Sequence, residues 1–451
     1  MKRVLCLPLF VLFLGGAFSQ TRNTPPELRN SAAEAAEPEA GSADVELAFR
    51  GSYLSIKVAV IGPGDDLYLW WGHIGLVIED ALSGQTRFFD WGVFSFENEN
   101  FYANFALGRL LYSCAVSSGR ESLARILLSN RDITLYTLNL PPETKTEILL
   151  FAENNILPEN RDYWYHHFKD NCATRVRDII DRASGGAFGK AFKDAPGRFT
   201  LRGHVRRYTW FSPFWDWFFS FLMGRNIDRP ITVWEEMFLP SEIALRIAGF
   251  TYTAPGGEER PLVSSVERLY RAEGRPGTLE NPPDQWGGAL LPGLGAALVL
   301  FVLKLAEFRF PSRRRFFSAV SALAQAALGL FFGAAGLILF FMTFFTNHDY
   351  TYHNANIIFV NPLLLAALPL GILAACGGGR EKRAGPGKLL KLLWTCVFAG
   401  GIAAMALNLV PGLYQQNLAT GILILPFAFT ASAAPDLIAG VFPRLRKGRG
   451  G

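Results

Sequence analysis

The alternation of apolar and polar positions changes character near residue 288. Before that point the runs are short and mixed. Residues 53–61 have a β-type pattern, and residues 62–66, Gly-Pro-Gly-Asp-Asp, turn the chain into a Trp-rich approach to His73. His73-Ile74-Gly75-Leu76-Val77-Ile78 predicts a strand: its alternation is incomplete, but its β-branched content is high and Gly72 and a turn over residues 80–85 bound it. Residues 86–91 would return beside it as a hairpin partner. Residues 97–107 predict a helix with aromatic contacts from Phe101, Tyr102 and Phe105. Strand-like residues 110–116 and 133–140 then alternate with helical residues 121–128 and 142–156. This is an α+β order.

After residue 288 the pattern is continuous. Five apolar spans, near residues 289–308, 317–345, 357–376, 389–410 and 418–440, are each long enough to cross a bilayer core of roughly 30 Å. At the other end, residues 1–19 carry Lys2-Arg3, an apolar run and Ala17-Phe18-Ser19, the form of a secretory signal peptide. The expected organisation is a signal peptide over residues 1–19, a flexible leader over 20–50, a soluble domain over 51–254, a Pro/Gly-rich linker over 255–288, a membrane domain of five helices over 289–441 and a basic tail over 442–451.

Composition agrees with that division. Apolar residues make up 50% of 451 positions, and the mean hydropathy of +0.19 is high for a soluble protein. The net charge of +5 does not imply nucleic acid, because the basic residues gather in three tracts: Arg309 with Arg313-Arg314-Arg315, Arg380 to Lys388, and Arg444 to Arg449. These tracts separate or follow the apolar spans. A signal peptide would put the soluble domain outside, and all three tracts then fall inside, so two independent signals agree on orientation. The expected location is a bacterial cytoplasmic membrane with the soluble domain on its outer face. The outer loop over residues 346–356, almost free of positive charge, would face the same compartment as that domain.

The candidate chemistry begins at Asp170-Asn171-Cys172. Asp170 and Asn171 are good N-cap residues, and Ala173, Val176, Ile179, Ile180 and Ala183 follow at helical spacing. Cys172 would therefore sit at a helix start, where backbone amides and the positive dipole end favour a thiolate. His73 is the candidate base, and Asp90 on the return strand is placed to orient it, which makes an acyl-transfer constellation. A lone buried cysteine or histidine is more commonly structural, so the three carry weight only together. No C-x-x-C or zinc spacing joins the five cysteines, and Cys114 reads as a buried strand residue. The absence of H-E-x-x-H, G-x-S-x-G, Walker and dinucleotide signatures removes several enzyme classes; no cofactor or metal is expected. Residues 208–223 crowd Trp210, Phe211, Phe214, Trp215, Trp217, Phe218, Phe219 and Phe221 around Asp216, a density that suits a lipid interface or an acyl-chain groove. Substrate contacts are expected from Trp71, Asn171, Arg175, Trp215 and Trp217, and from His348, Asn354 and Asn356 of the outer loop.

Gly62-Pro63-Gly64-Asp65, Trp70-Trp71-Gly72-His73, Asp90-Trp91-Gly92, Asp170-Asn171-Cys172 with Thr174-Arg175, Asp228-Arg229-Pro230 and Phe238-Leu239-Pro240 together resemble the Lnb family of bacterial lipoprotein N-acyltransferases. The resemblance implies a periplasmic domain similar to a circularly permuted papain-like or NlpC/P60-like fold, with Cys172 as nucleophile and His73 as base. Asp90 stands where the family more often has Asn. The partners so implied are a phospholipid acyl donor and the α-amine of a lipoprotein diacylglyceryl-cysteine. Two other classes fit the chain less well. A membrane-anchored cysteine peptidase or amidase would need only one span, and a non-enzymatic binding or transport protein that carries an ion pathway would show more charge inside its spans.

Overall fold

The structure is a computed structural model that describes residues 40–95, 100–284, 286–377 and 380–441. The expected signal peptide, most of the leader and the basic tail lie outside the described residues. The outer domain is built on one seven-stranded antiparallel sheet in the order β6-β4-β3-β2-β1-β5-β9. In chain order the strands are β1 (Leu54–Ile61), β2 (His73–Asp80), β3 (Gln85–Val93), β4 (Leu111–Ser118), β5 (Ile133–Leu138), β6 (Asp162–Trp164), β7 (Thr251–Thr253), β8 (Glu259–Pro261) and β9 (Val263–Tyr270). β7 and β8 form a separate two-stranded ribbon. The hairpin expected from the turn after Asp80 is present, with Leu76 opposite Phe89 and Asp80 opposite Gln85.

The incomplete alternation of β2 has a physical cause, since both faces of this central strand are covered. Ile74, Leu76 and Ile78 pack into the main core with α5 (Cys172–Ala183) and Ile148 and Leu149 of α4 (Pro142–Asn155). Val77 points the other way, into a smaller cluster with Ala59, Ile61, Phe88 and Leu135, closed by Leu123 and Ile126 of α3 (Gly119–Leu128). α1 (Ala40–Ser52) precedes the sheet and α2 (Phe101–Ala106) follows β3. After α5 come α6 (Ala187–Phe192), α7 (Leu201–Thr209), α8 (Pro213–Leu222), α9 (Val233–Glu236) and α10 (Pro240–Ile247).

Two expectations change here. The last part of the expected leader is helical from Ala40, and the Thr146 hydroxyl of α4 donates to the Leu47 carbonyl, 2.8 Å away. The expected linker is not all linker either. Residues 259–270 supply β8 and β9, and β9 joins the sheet edge beside β5, so the outer domain runs past residue 254. The Pro/Gly content on both sides of Leu-Val-Ser-Ser-Val-Glu-Arg-Leu-Tyr masks a short β-type run.

The helical membrane region contains α11 (Gly287–Arg309), α12 (Arg314–Phe345), α13 (Ala367–Cys376), α14 (Arg380–Leu407) and α15 (Leu418–Val441). Among the described residues four stretches are long and apolar enough to cross a membrane: Gly287–Arg309, Pro311–Phe345, Ala355–Cys376 and Arg383–Leu407. Leu418–Ala433, within α15, is a shorter apolar stretch. α8 belongs physically to this region, because Trp217 and Phe221 are buried in its core and Trp217 stacks on Phe331 of α12. The aromatic run is thus a helix that roots the outer domain in the membrane helices, while Phe214 stays exposed.

Candidate functional site

α5 begins at Cys172 for a local reason. The Asn171 side chain accepts from Thr174 N at 2.9 Å, and the Thr174 hydroxyl accepts from Asn171 N at 2.8 Å, a reciprocal cap. Four N–H groups at a helix start lack intrahelical partners, and this cap satisfies the first and the last. The two between them are on Cys172 and Ala173. The Asn171 amide also donates to the His167 and Phe238 carbonyls, which ties the loop before the helix to residues before α10.

His73, the first residue of β2, lies opposite Ile61 at the end of β1. Its Nε2 donates to Asp90 Oδ1 at 2.9 Å, and Asp90 is held in turn by the Gly92 N–H at 2.8 Å. A Cβ at Gly92 would come within 2.8 Å of the His73 ring, so glycine is required behind the imidazole. Cys172 stands near enough to the same ring to act on its charge. With Nε2 committed to Asp90, Nδ1 is the nitrogen left for the sulfur. Burial works against an imidazolium here, but Asp90 and then Cys172 overcome it and raise the His73 pKa to about 10. Burial likewise opposes the Asp90 charge, yet His73 and the Gly92 N–H hold this carboxyl below its usual range. Cys114 is a buried strand residue on β4, and burial, then Asp90, pushes its thiol up to about 12.

The other expected contacts are engaged with the protein. Arg175 makes a two-point bond to Asp170, at 2.6 and 2.8 Å, and lies over the Tyr163 ring. Asn171 is the cap. Trp71 packs on Phe219 of α8, and its indole N–H is buried with no partner among the described residues. Trp215 stacks on Phe219, and Trp217 is in the membrane core. Asn354 and Asn356 both donate to the Phe221 carbonyl at the end of α8, and Gln415 donates to Asn354. His348 is buried, bonded to the Phe105 carbonyl at 3.0 Å and to Tyr350 at 2.7 Å. These outer-loop side chains fasten the membrane helices to the outer domain.

Two residues of that loop, Asp349 and Tyr350, contact the segment that leads to Cys172. Asp349 accepts from His166 Nε2 at 2.9 Å and from Lys169 Nζ at 2.5 Å, while His166 Nδ1 accepts the backbone N–H of Phe168 and Lys169. Burial opposes the charge of Asp349, but the bonds from His166 and Lys169 bring its pKa down to about 2. Tyr350 packs against the rings of His166, His167 and Phe168. The segment leading to Cys172 is therefore shaped by a loop of the membrane region. Sequence reasoning saw that loop as polar and outward; its contacts depend on long-range packing with no periodic signal.

Sequence reasoning also missed the polar interior around α7. Arg202, fully buried, grips Asp228 through two nitrogens at 2.7 and 3.0 Å and donates to the Met223 and Gly224 carbonyls. His204 bonds Glu236 at 3.0 Å, and Arg207 bridges His204 and Glu242. Among the described residues no group of three or more His, Cys, Asp or Glu could hold a metal ion.

Comparison with known proteins bears on the whole arrangement. The model of the Lnb N-terminal periplasmic domain matches residues 44–202, a range that includes His73, Asp90 and Cys172. The model of the Lnb transmembrane domain matches residues 289–378, a range that includes the outer loop with Asp349 and Tyr350. No curated protein and no solved structure matches the chain. Two family models in the order periplasmic domain then membrane helices, together covering more than half of its length, make this chain a member of the Lnb family, a membrane-anchored protein of the bacterial cell envelope.

Proposed function

We propose that the protein is a thiol acyltransferase at the outer face of the cytoplasmic membrane. The acyl chain comes from a phospholipid and goes to the α-amine of a lipoprotein diacylglyceryl-cysteine. The observation that carries this reading is the sulfur at the head of α5 against an imidazole whose far nitrogen is held by Asp90. In the first half-reaction the Cys172 thiolate attacks the ester carbonyl, and the N–H groups of Cys172 and Ala173 receive the developing oxyanion. The ester C–O bond breaks, His73 gives a proton to the departing glycerol oxygen, and the acyl group remains as a thioester. In the second, the amine attacks the thioester, the C–S bond breaks, and the amine proton returns to His73.

The outer domain is read as a papain-like fold with its order permuted, since the histidine strand precedes the cysteine helix. α15 is read as a fifth span, which returns the chain to the side of the basic tracts. Donor and acceptor both live in the bilayer, and this accounts for a thiol domain fixed to several membrane helices rather than one anchor. Mass spectrometry of a lipoprotein N-terminus, from cells with and without this protein, tests the proposal: one additional acyl chain on the amine is expected. An unchanged number of chains, with cleaved cell-wall peptide appearing instead, would replace it with the hydrolase reading.

A further inference from the structure

Arg131 is 6% exposed, and among the described residues it forms no ion pair; Asp90 acts on it only through space. Its Nε donates to the Gly62 carbonyl at 2.9 Å, while Nη2 is buried with no partner. Buried arginines elsewhere in this chain are answered by acids: Arg202 by Asp228, Arg206 by Asp216, Arg207 by Glu242. Cys172, like Asp90, acts on Arg131 only through space; a buried guanidinium nitrogen with no bonded partner is unfavourable, and an anion that arrives with the ligand would satisfy it.

The sheet shows where that anion would lie. Ile61, at the end of β1, is paired with His73 at the start of β2 and with Ile133 at the start of β5. Arg131, two residues before Ile133, is therefore at the same end of the sheet as His73, with two strand spacings, roughly 10 Å, between β2 and β5. This end faces the membrane region, since Trp70 and Trp71, just before His73, pack against Phe211 and against Phe219 of α8. A cavity of about 120 Å³ borders the same turn, lined in part by Gly64, Asp65, Trp70, Phe211 and Arg275, with Arg131 behind its wall. Burial, then the nearby Arg275 charge, lowers the Arg131 pKa to about 10 against the opposite pull of Cys172, Tyr68 and Asp90, which leaves the guanidinium charged at neutral pH.

We infer that Arg131 binds the phosphate of the acyl donor, in the juxtaposition of an unpaired buried guanidinium, the turn after β1 and the His73 end of β2. A guanidinium suits a phosphate diester because its planar donors match two oxygens at once. The phosphate so held would set the depth to which the adjoining glycerol ester reaches toward Cys172. The inference deepens the acyl-transfer reading and rests on it for the identity of the lipid.

The test measures binding without turnover, in the full chain carrying Cys172→Ala in detergent. A short-chain phosphatidylglycerol, the matching diacylglycerol and inorganic phosphate are titrated by native mass spectrometry. The phospholipid is expected to bind at least about tenfold more tightly than the diacylglycerol. Arg131→Met should erase that difference and Arg131→Lys should recover part of it. Competition by inorganic phosphate would place recognition in the phosphate group itself; failure to compete would place it in the headgroup as held by the lipid. Equal binding of the two lipids, or a difference that survives in Arg131→Met, overturns the inference. Should Arg131→Met fail to fold, an undiminished difference in Arg131→Lys overturns it alone, because a point charge cannot keep the two-oxygen fit. Phosphate-dependent binding that needs Arg131, in a protein whose Cys172 never carries an acyl group, would keep this site and remove the acyltransferase reading.

Discussion

Two histidine–carboxylate pairs of nearly equal length stand in different parts of the outer domain. His73 meets Asp90 at 2.9 Å, with side chains 19% and 25% exposed; His204 meets Glu236 at 3.0 Å, with both fully buried. Pair chemistry alone cannot tell them apart. The other ring nitrogen does: in His204 it accepts from Arg207, whereas in His73 it is the one left for a thiol. The His204 pair is closed on every side by Arg198, Phe199 and Arg207, so it can fix α7 but has nothing to exchange a proton with. The His73 pair is open and polarised toward a nucleophile. A site is recognised by the atom left unoccupied.

The comparison can be broken most directly at the sulfur. Cys172→Ala should abolish the acyl-enzyme and lower transfer by at least ~10³-fold without moving the melting temperature, read by intact-protein mass spectrometry and a thermal scan. The closed pair should behave in the opposite way: His204→Ala removes one of the partners of buried Glu236, which keeps the Arg198 and Phe199 N–H groups and Arg246, and should cost about 1–3 kcal/mol of stability, visible in denaturant unfolding. An intact melting curve in that variant would erase the contrast between the two pairs. Asp90→Asn sharpens the difference rather than abolishing it, since an amide still orients the ring; about tenfold lower kcat at neutral pH is expected. Its signature is in the pH profile. Because Asp90 helps raise the His73 pKa to about 10, the protonated ring is present below that pH and lost as pH rises through it. In Asp90→Asn the alkaline fall in kcat should move to lower pH, toward the ordinary histidine range; a profile that stays in place argues against His73 as the proton carrier. The smallest effect is expected at Asp349→Asn, on a half-exposed pair with Lys169: about 1 kcal/mol or less of stability and a loss in kcat/KM of less than about tenfold.

The parts of this protein that were legible in the sequence are those specified by neighbours in the chain. The turn after Asp80 announced the hairpin, the Asn171 cap announced the start of α5, and the long apolar runs announced the membrane helices. β9 was hidden because turn residues flank it and because its faces carry Ser, Glu and Arg on an exposed edge. Arg131, the α7 network and the Asp349 contact with His166 were hidden for another reason. Each joins residues far apart in sequence, and a buried charge leaves no periodic trace. The aromatic run at residues 208–223 permitted two readings, lipid contact or packing, and α8 divides them: Trp217 and Phe221 face the membrane helices while Phe214 faces outward.

α8 also bears on how the protein can be handled. Its inward rings are covered by α12, and its Phe221 carbonyl accepts from the amides of Asn354 and Asn356, so a fragment trimmed after residue 284 would expose an oily aromatic ridge to water and lose the donors that finish the helix. Such a fragment is expected to clump at concentrations where the intact protein in detergent stays dispersed, as read by light scattering. The half that carries the sulfur is therefore a poor stand-in for the whole when inhibitors are screened or crystals are grown.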